Sequence, residues 1–207
     1  DGSTIGAVAN RTALFDENGE KSADFDAVLT VDGAYKAADF INFCDAYDIP
    51  VLSLTNVKGY AADVRSEKSI AKAVAKLTYA FANANVPKVN VITGEAYGSA
   101  YVTMNSKALG ADVTYAWPDA SIGMMDANEA AKIMYADDIA KSADVQSVIS
   151  EKAAEYAALQ SGVESAAARG YVDTIINPED TRKYVAAAFE MLYTKREDRP
   201  DKKHGTV

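Results

Sequence analysis

The chain has 207 residues, 49% hydrophobic and 25% charged, and a formal net charge of −9 from 30 acidic and 21 basic side chains. That usage suits one large globular domain with a core of its own and argues against disorder, while the acidic excess argues against a nucleic-acid partner. A single cysteine, Cys44, and a single histidine, His204, exclude an internal disulfide and a Cys/His zinc site, so no metal is expected, and a Ser-His-Asp triad has only a histidine at the far end to draw on.

In chain order, residues 4–9 read as a strand and 36–48 as a helix, with Phe40, Ile41, Phe43, Cys44 and Tyr47 recurring at helical spacing. Cys44 on that stripe reads as a small core hydrophobe. Pro50 introduces a strand over 51–55. Residues 67–84 form a second helix, with Ser66 placed to cap it and Ile70, Ala73, Val74, Leu77, Ala80, Phe81 and Ala84 on one face. Pro87 closes that stretch, and 89–93 is the next strand. The turn Gly94-Glu95-Ala96-Tyr97-Gly98-Ser99-Ala100-Tyr101 opens a third helix through Leu109, ended by Gly110. A strand over 113–117 stops at Pro118, with Trp117 expected in the core. Residues 128–168 are rich in alanine and predict one or two peripheral or interface helices. A short strand over 171–176 precedes Asn177-Pro178-Glu179-Asp180, a helix start by its Asn, Pro and acids. Val185, Ala188, Phe189 and Leu192 then face inward, and 197–207 is a polar, extended tail in which His204 sits among Arg199, Lys202 and Lys203. This alternation predicts a single α/β domain with mainly parallel strands.

There is no basic-then-apolar leader and no apolar run near the roughly 18 residues of a membrane span, so a cytoplasmic setting is expected. The start at Asp1 fits a processed piece or an excerpt of a longer chain.

Chemistry in such folds gathers where strands end and helices begin. Three junctions qualify: Asn56-Val57-Lys58-Gly59-Tyr60, Tyr97-Gly98-Ser99-Ala100-Tyr101 and Met124-Met125-Asp126-Ala127-Asn128. The second has small residues that let backbone N–H groups approach a ligand, and the first N–H groups of a helix have no internal acceptor. Together they form either an oxyanion site for an enolate or urea oxygen or a plain close-packing turn. Ser99 as a nucleophile would need a lysine base, with Lys58, Lys72 or Lys88 as candidates.

Phe43-Cys44-Asp45-Ala46-Tyr47-Asp48-Ile49-Pro50, Val86-Pro87-Lys88-Val89, Ala96-Tyr97-Gly98-Ser99-Ala100-Tyr101, Leu109-Gly110-Ala111-Asp112 and Ala116-Trp117-Pro118 resemble, in order, the second lobe of biotin-dependent acyl-CoA carboxyltransferases. The close from Lys195 to Gly205 resembles the C-terminus of propionyl-CoA carboxylase β subunits and methylmalonyl-CoA decarboxylase α subunits. The resemblance covers nearly the whole chain, 1–207, as a carboxyltransferase C-terminal lobe. It implies a crotonase-like ββα superhelix and carboxyl transfer, or decarboxylation, between biotin on a separate carrier and a CoA thioester. It also implies an N-terminal partner lobe holding the acyl-CoA, a biotin carboxyl carrier, and a homo- or hetero-oligomer built as hexamer-like rings of dimers, with a membrane involved only through a pump partner.

Carried over by position, the backbone N–H groups of Ser99 and Ala100 are the oxyanion donors. Tyr97, Gly98, Lys58, Gly59, Tyr60, Met125 and Asp126 border biotin. The sequence departs from the family at Ser99, where a second Gly is usual. It departs again at Lys58-Gly59-Tyr60, where Pro-Gly-Phe is usual, at Ser69-Ile70-Ala71-Lys72-Ala73-Val74, and around Met125-Asp126-Ala127-Asn128-Glu129-Ala130. These departures leave two alternatives: a non-catalytic assembly lobe of such a complex, and a Ser-Lys hydrolase on a crotonase-like fold.

Overall fold

The computed structural model describes residues 2–142 and 144–197; the expected extended tail from 198 onward, with His204, lies outside them. The strands are β1 (Gly6–Ala9), β2 (Ala13–Phe15), β3 (Lys21–Asp24), β4 (Val28–Leu29), β5 (Val51–Val57), β6 (Gly59–Tyr60), β7 (Lys88–Tyr97), β8 (Val113–Ala116), β9 (Ser121–Gly123) and β10 (Thr174–Ile175). The helices are α1 (Val31–Ala46), α2 (Val64–Asn83), α3 (Gly98–Thr103), α4 (Ala127–Met134), α5 (Ala136–Lys141), α6 (Val145–Tyr156), α7 (Val163–Ala168) and α8 (Thr181–Met191).

The main sheet runs β1-β5-β7-β8-β10, all parallel, and β9 pairs with the far end of β7. A long strand, a short strand and a helix recur as β1-β4-α1 and β5-β6-α2, with β4 and β6 paired parallel outside the main sheet. This is the strand-strand-helix repeat that the resemblance implies.

The core lies on both faces of the sheet. On one, α1 and α2 bury Ala34, Ala38, Ile41, Cys44, Leu77 and Phe81; on the other, α8 covers Val89, Val91, Val113 and Tyr115. Central β7 is accordingly buried over residues 88–92, with Val89 and Val91 in the cluster under α8 and Ile92 in the cluster under α1 and α2.

The long elements were expected nearly where they lie, and the differences have local causes. Helix α1 begins at Val31 because the Thr30 side chain accepts from Gly33 N. Its buried stripe is Val31, Ala34, Ala38, Ile41 and Cys44, while Phe40, Phe43 and Tyr47, expected inside, are 39%, 51% and 67% exposed. The approach to β1 is close, a Cβ on Gly6 standing 2.5 Å from Cys44 Sγ and 3.2 Å from the Phe40 ring, so Phe40 lies at the rim of this seam. Helix α2 is capped by Asp63, which accepts from Ser66 N at 2.8 Å, not by Ser66 as expected.

The third helix stops at Thr103, short of Leu109, because Asn105 takes a left-handed φ of 58° before a 3-10 turn over Lys107–Leu109. Gly110, at φ 105°, ends that turn as expected. Residues 128–168 hold parts of four short helices, not one or two, since the Asp126 and Asp144 caps start separate segments. The strand expected over 171–176 is reduced to β10, and Pro178 opens a 3-10 turn ahead of α8.

The C-terminal end of the described chain is pinned by Lys195, whose Nζ reaches Asp112 Oδ2 at 2.9 Å and Val86 O at 3.3 Å. Asp112 Oδ2 also accepts from Lys88 N at 2.8 Å. The Lys195 and Asp112 side chains are only 9% and 18% exposed. Asp112→Ala removes the acceptor of the Lys88 N–H and leaves Lys195 with Glu197, at 2.8 Å, and Val86 O, and a loss of about 1–2 kcal/mol is expected in urea unfolding.

Candidate functional site

Because the sheet is parallel, the carboxyl ends of its strands share one edge, and the three junctions meet there. Two devices shape that edge. Strand β7 carries two extra residues between its pairings Thr55↔Ile92 and Val57↔Ala96. Asn56 fills the bulge: its Oδ1 accepts from Glu95 N at 3.0 Å, where a Cβ on Gly94 would come within 2.7 Å. Asn10 secures Asn56 in turn, accepting from Asn56 N at 3.0 Å and donating to Asn56 O.

The bulge aims β7 into the turn at Gly98. This glycine has φ 57°, and a Cβ on it would stand 3.0 Å from Met124 O, so both the angle and the space call for glycine. Helix α3 follows at once, with no side chain capping its N-terminus. The N–H groups of its first turn have no acceptor within the helix. Ser99 is exposed and Ala100 buried.

The first and second junctions touch through side chains, the Tyr60 hydroxyl donating to Ser99 Oγ at 3.0 Å. The second and third touch through backbone, at Gly98 and Met124, and at Gly123, where a Cβ would lie 3.9 Å from the Tyr97 ring and 3.8 Å from Met125 O. The expected site residues thus come together at one edge. Gly59 and Tyr60 are held there by pairing with Val28 and Leu29.

Three expected binding residues have other commitments. Tyr97 is buried and donates to Ser121 Oγ at 2.8 Å, and burial pushes its phenol above the ordinary tyrosine value. Asp126 caps α4 by accepting from Asn128 N at 2.9 Å. Lys58 is exposed, with its Nζ 3.5 Å from Asp26. Nothing in the sequence spacing pointed to Asn10 or Ser121, which are single polar residues outside any motif.

None of the three lysines proposed as a base stands against Ser99. Lys88 lies at the opposite end of ten-residue β7, roughly 30 Å away, and donates to Phe81 O at 2.7 Å. Lys72 is exposed on α2.

Tyr101, on α3, is 7% exposed with a hydroxyl that has no partner among the described residues, and burial, with Tyr171 nearby, pushes it up to about 12. A folded value above the unfolded one near 10 means that this contribution is intact below pH 10 and is lost as pH rises towards 12. Its full size is about 2–3 kcal/mol. Tyr101→Phe is expected to leave stability near neutrality within about 1 kcal/mol and to flatten the alkaline fall, read from urea unfolding at successive pH values.

The family model for the carboxyl transferase domain matches residues 1–207. The chain belongs to the carboxyl transferase family. It is similar to the propionyl-CoA carboxylase beta chain of Saccharopolyspora erythraea, 42% identical over 212 residues covering 100% of this chain and 37% of the relative. It is similar also to the methylmalonyl-CoA decarboxylase subunit alpha of Propionigenium modestum, 39% identical over 207 residues covering 100% of this chain and 38% of the relative. Among solved structures, transcarboxylase 12S, a hexamer with methylmalonyl-coenzyme A and methylmalonic acid bound, superposes with a TM-score of 0.86 at 40% identity, covering 98% of this chain and 37% of that one. This carboxyl transferase chain therefore spans little more than a third of the length of these relatives, and its fold is crotonase-like. Among the described residues, no helix is long and apolar enough to cross a membrane.

Proposed function

We propose that this lobe forms the biotin side of a carboxyltransferase site, which moves a carboxyl group between biotin on a carrier and an acyl-CoA or releases it by decarboxylation. The observation that carries the reading is the α3 turn: left-handed Gly98, an uncapped helix start, and the amides of Ser99 and Ala100 at an edge where three junctions meet. Biotin supplies the ureido group that bears the carboxyl. The residues present fit it, since no Cβ stands at position 98 and two N–H donors follow directly.

Ser99 N–H and Ala100 N–H donate to the ureido oxygen and hold the negative charge that develops there. Lys58, Gly59 and Tyr60 border the ligand from one side, Met125 and Asp126 from the other. The acyl-CoA lies on an N-terminal lobe, and family membership together with the hexameric transcarboxylase supports an oligomer. The exposed apolar side chains Ile133, Met134 and Leu159 support the 128–168 region as an interface segment for that lobe. The setting is cytoplasmic, where the free, buried Cys44 thiol stays reduced.

The test is to co-express the lobe with an N-terminal lobe and a biotin carrier and to follow decarboxylation of malonyl- or methylmalonyl-CoA. Activity is expected, and complete inactivity of an assembled complex overturns the reading. A second reading, an assembly lobe without catalysis, is favoured by one observation: the Ser99 side chain, bonded to Tyr60, stands at the mouth of the turn. Ser99→Trp separates the two. The carboxyltransferase reading expects loss of most activity in the complex, whereas an assembly lobe expects none.

A further inference from the structure

Where α3 leaves for the 3-10 turn, the sheet beneath it is polar. Ser53 of β5, Asn90 of β7 and Thr114 of β8 form one row, since the register pairs Ser53 with Asn90 and Asn90 with Thr114. All three are completely buried. Thr55, two residues along β5, projects to the same face.

Asn90 Oδ1 accepts from Ser53 Oγ at 3.1 Å and from Thr55 Oγ1 at 2.8 Å. Two ties run from this row to the end of α3. Thr55 Oγ1 lies 3.2 Å from Met104 O, and Asn105 Nδ2 donates to Ser53 Oγ at 3.0 Å. Asn105 is itself 0% exposed and left-handed.

Three atoms of this cluster have no partner among the described residues: Asn90 Nδ2, Asn105 Oδ1 and Thr114 Oγ1. Turning either amide over only exchanges the bonded end for the bare one. One is a donor, one an acceptor and one a hydroxyl able to act as either. Buried groups of this kind are paired in native proteins, commonly through an internal water that makes about three hydrogen bonds.

We propose that internal water completes the bare atoms of Asn90, Asn105 and Thr114, and that the completed node makes Asn105 the positioning residue for α3. Helix α3 has six residues, about 9 Å of rise, and is too short to bend. A shift at Met104 and Asn105 therefore moves Ser99 and Ala100 with it. The functional half of the proposal rests on the reading that those two amides serve the site; the water and the tether do not.

The first test is a crystal structure of the complete subunit at a resolution that shows ordered water. Ordered water within hydrogen-bonding distance of each of the three atoms is expected, and a dry node overturns the proposal. Thr114→Val keeps the β-branched shape and removes one partner, and it should weaken or abolish the water peak beside it. The second test is Asn105→Gly, which keeps the left-handed backbone and removes the amide. In the assembled enzyme without substrate, hydrogen exchange of the amides over 98–103 should quicken at least tenfold, and unchanged exchange overturns the tether. With substrate, kcat should fall several-fold with the KM for acyl-CoA unchanged. Faster exchange with full activity upholds the tether and overturns the role given to the Ser99 and Ala100 amides.

Discussion

On the proposed carboxyltransferase reading, Gly98→Val is expected to leave the lobe folded and to lower carboxyl transfer at least about a hundredfold, the loss expected when an oxyanion donor is misplaced. The valine meets two obstacles. An L residue at φ 57° costs roughly 1–2 kcal/mol, and its Cβ would stand 3.0 Å from Met124 O. Against a stability of about 5–15 kcal/mol the fold survives, but the turn does not keep its shape. Ser99→Ala is the control: it removes the hydroxyl bonded to Tyr60 but keeps both amides, and activity should stay within a few-fold of the parent. Steady-state rates of the assembled complex, with circular dichroism to confirm folding, separate the two variants. A Gly98→Val enzyme with full activity would mean that the α3 amides are not the donors.

Phe81→Ala is expected to destabilise the chain by about 3–5 kcal/mol, and Phe43→Ala by less than about 1 kcal/mol, in urea unfolding. Phe81 is fully buried on α2, within the cluster that α1 and α2 make against the sheet, so truncation leaves a cavity. Phe43 is half exposed on α1, its ring 4.7 Å from that of Tyr47, and truncation there opens nothing. By hydrophobicity the two phenylalanines are equals; their burial tells them apart.

That pair also shows what could be read from the letters. Strand β5 and helix α2 were legible because each is long and follows one period, and their ends fall within a few residues of expectation. The inward face of α1 is legible only in part: Ile41 and Cys44 are buried as expected, whereas Ala34 and Ala38, which complete the stripe, carry little hydrophobic signal beside Phe40, Phe43 and Tyr47. Strands β4, β6 and β9 have two or three residues and no period to detect. The early end of α3 depends on left-handed Asn105, with neither Gly nor Pro to announce it. At the site, the three junctions followed from strand ends alone. Their meeting did not, because the contacts of Tyr60 with Ser99 and of Gly98 with Met124 depend on the two-residue bulge in β7. The small residues Gly98, Ser99 and Ala100 suggest an oxyanion site but equally a plain close-packing turn, and biotin and the acyl-CoA came from the resemblance, since two backbone amides leave no signature in side-chain spacing.

Strand β7 acts as a ruler. At its first residue, Lys88 donates through Nζ to Phe81 O and through its backbone N–H to Asp112; its last residue leads directly into Gly98. Because side chains alternate with a period of two, removing one residue from the strand would turn every later side chain to the opposite face. Asn90 would leave its polar row, or the Gly98 turn would point away from Tyr60 and Met124. The distance between core and site can therefore change only in steps of two residues, and the bulge over Thr93, Gly94 and Glu95 is one such step.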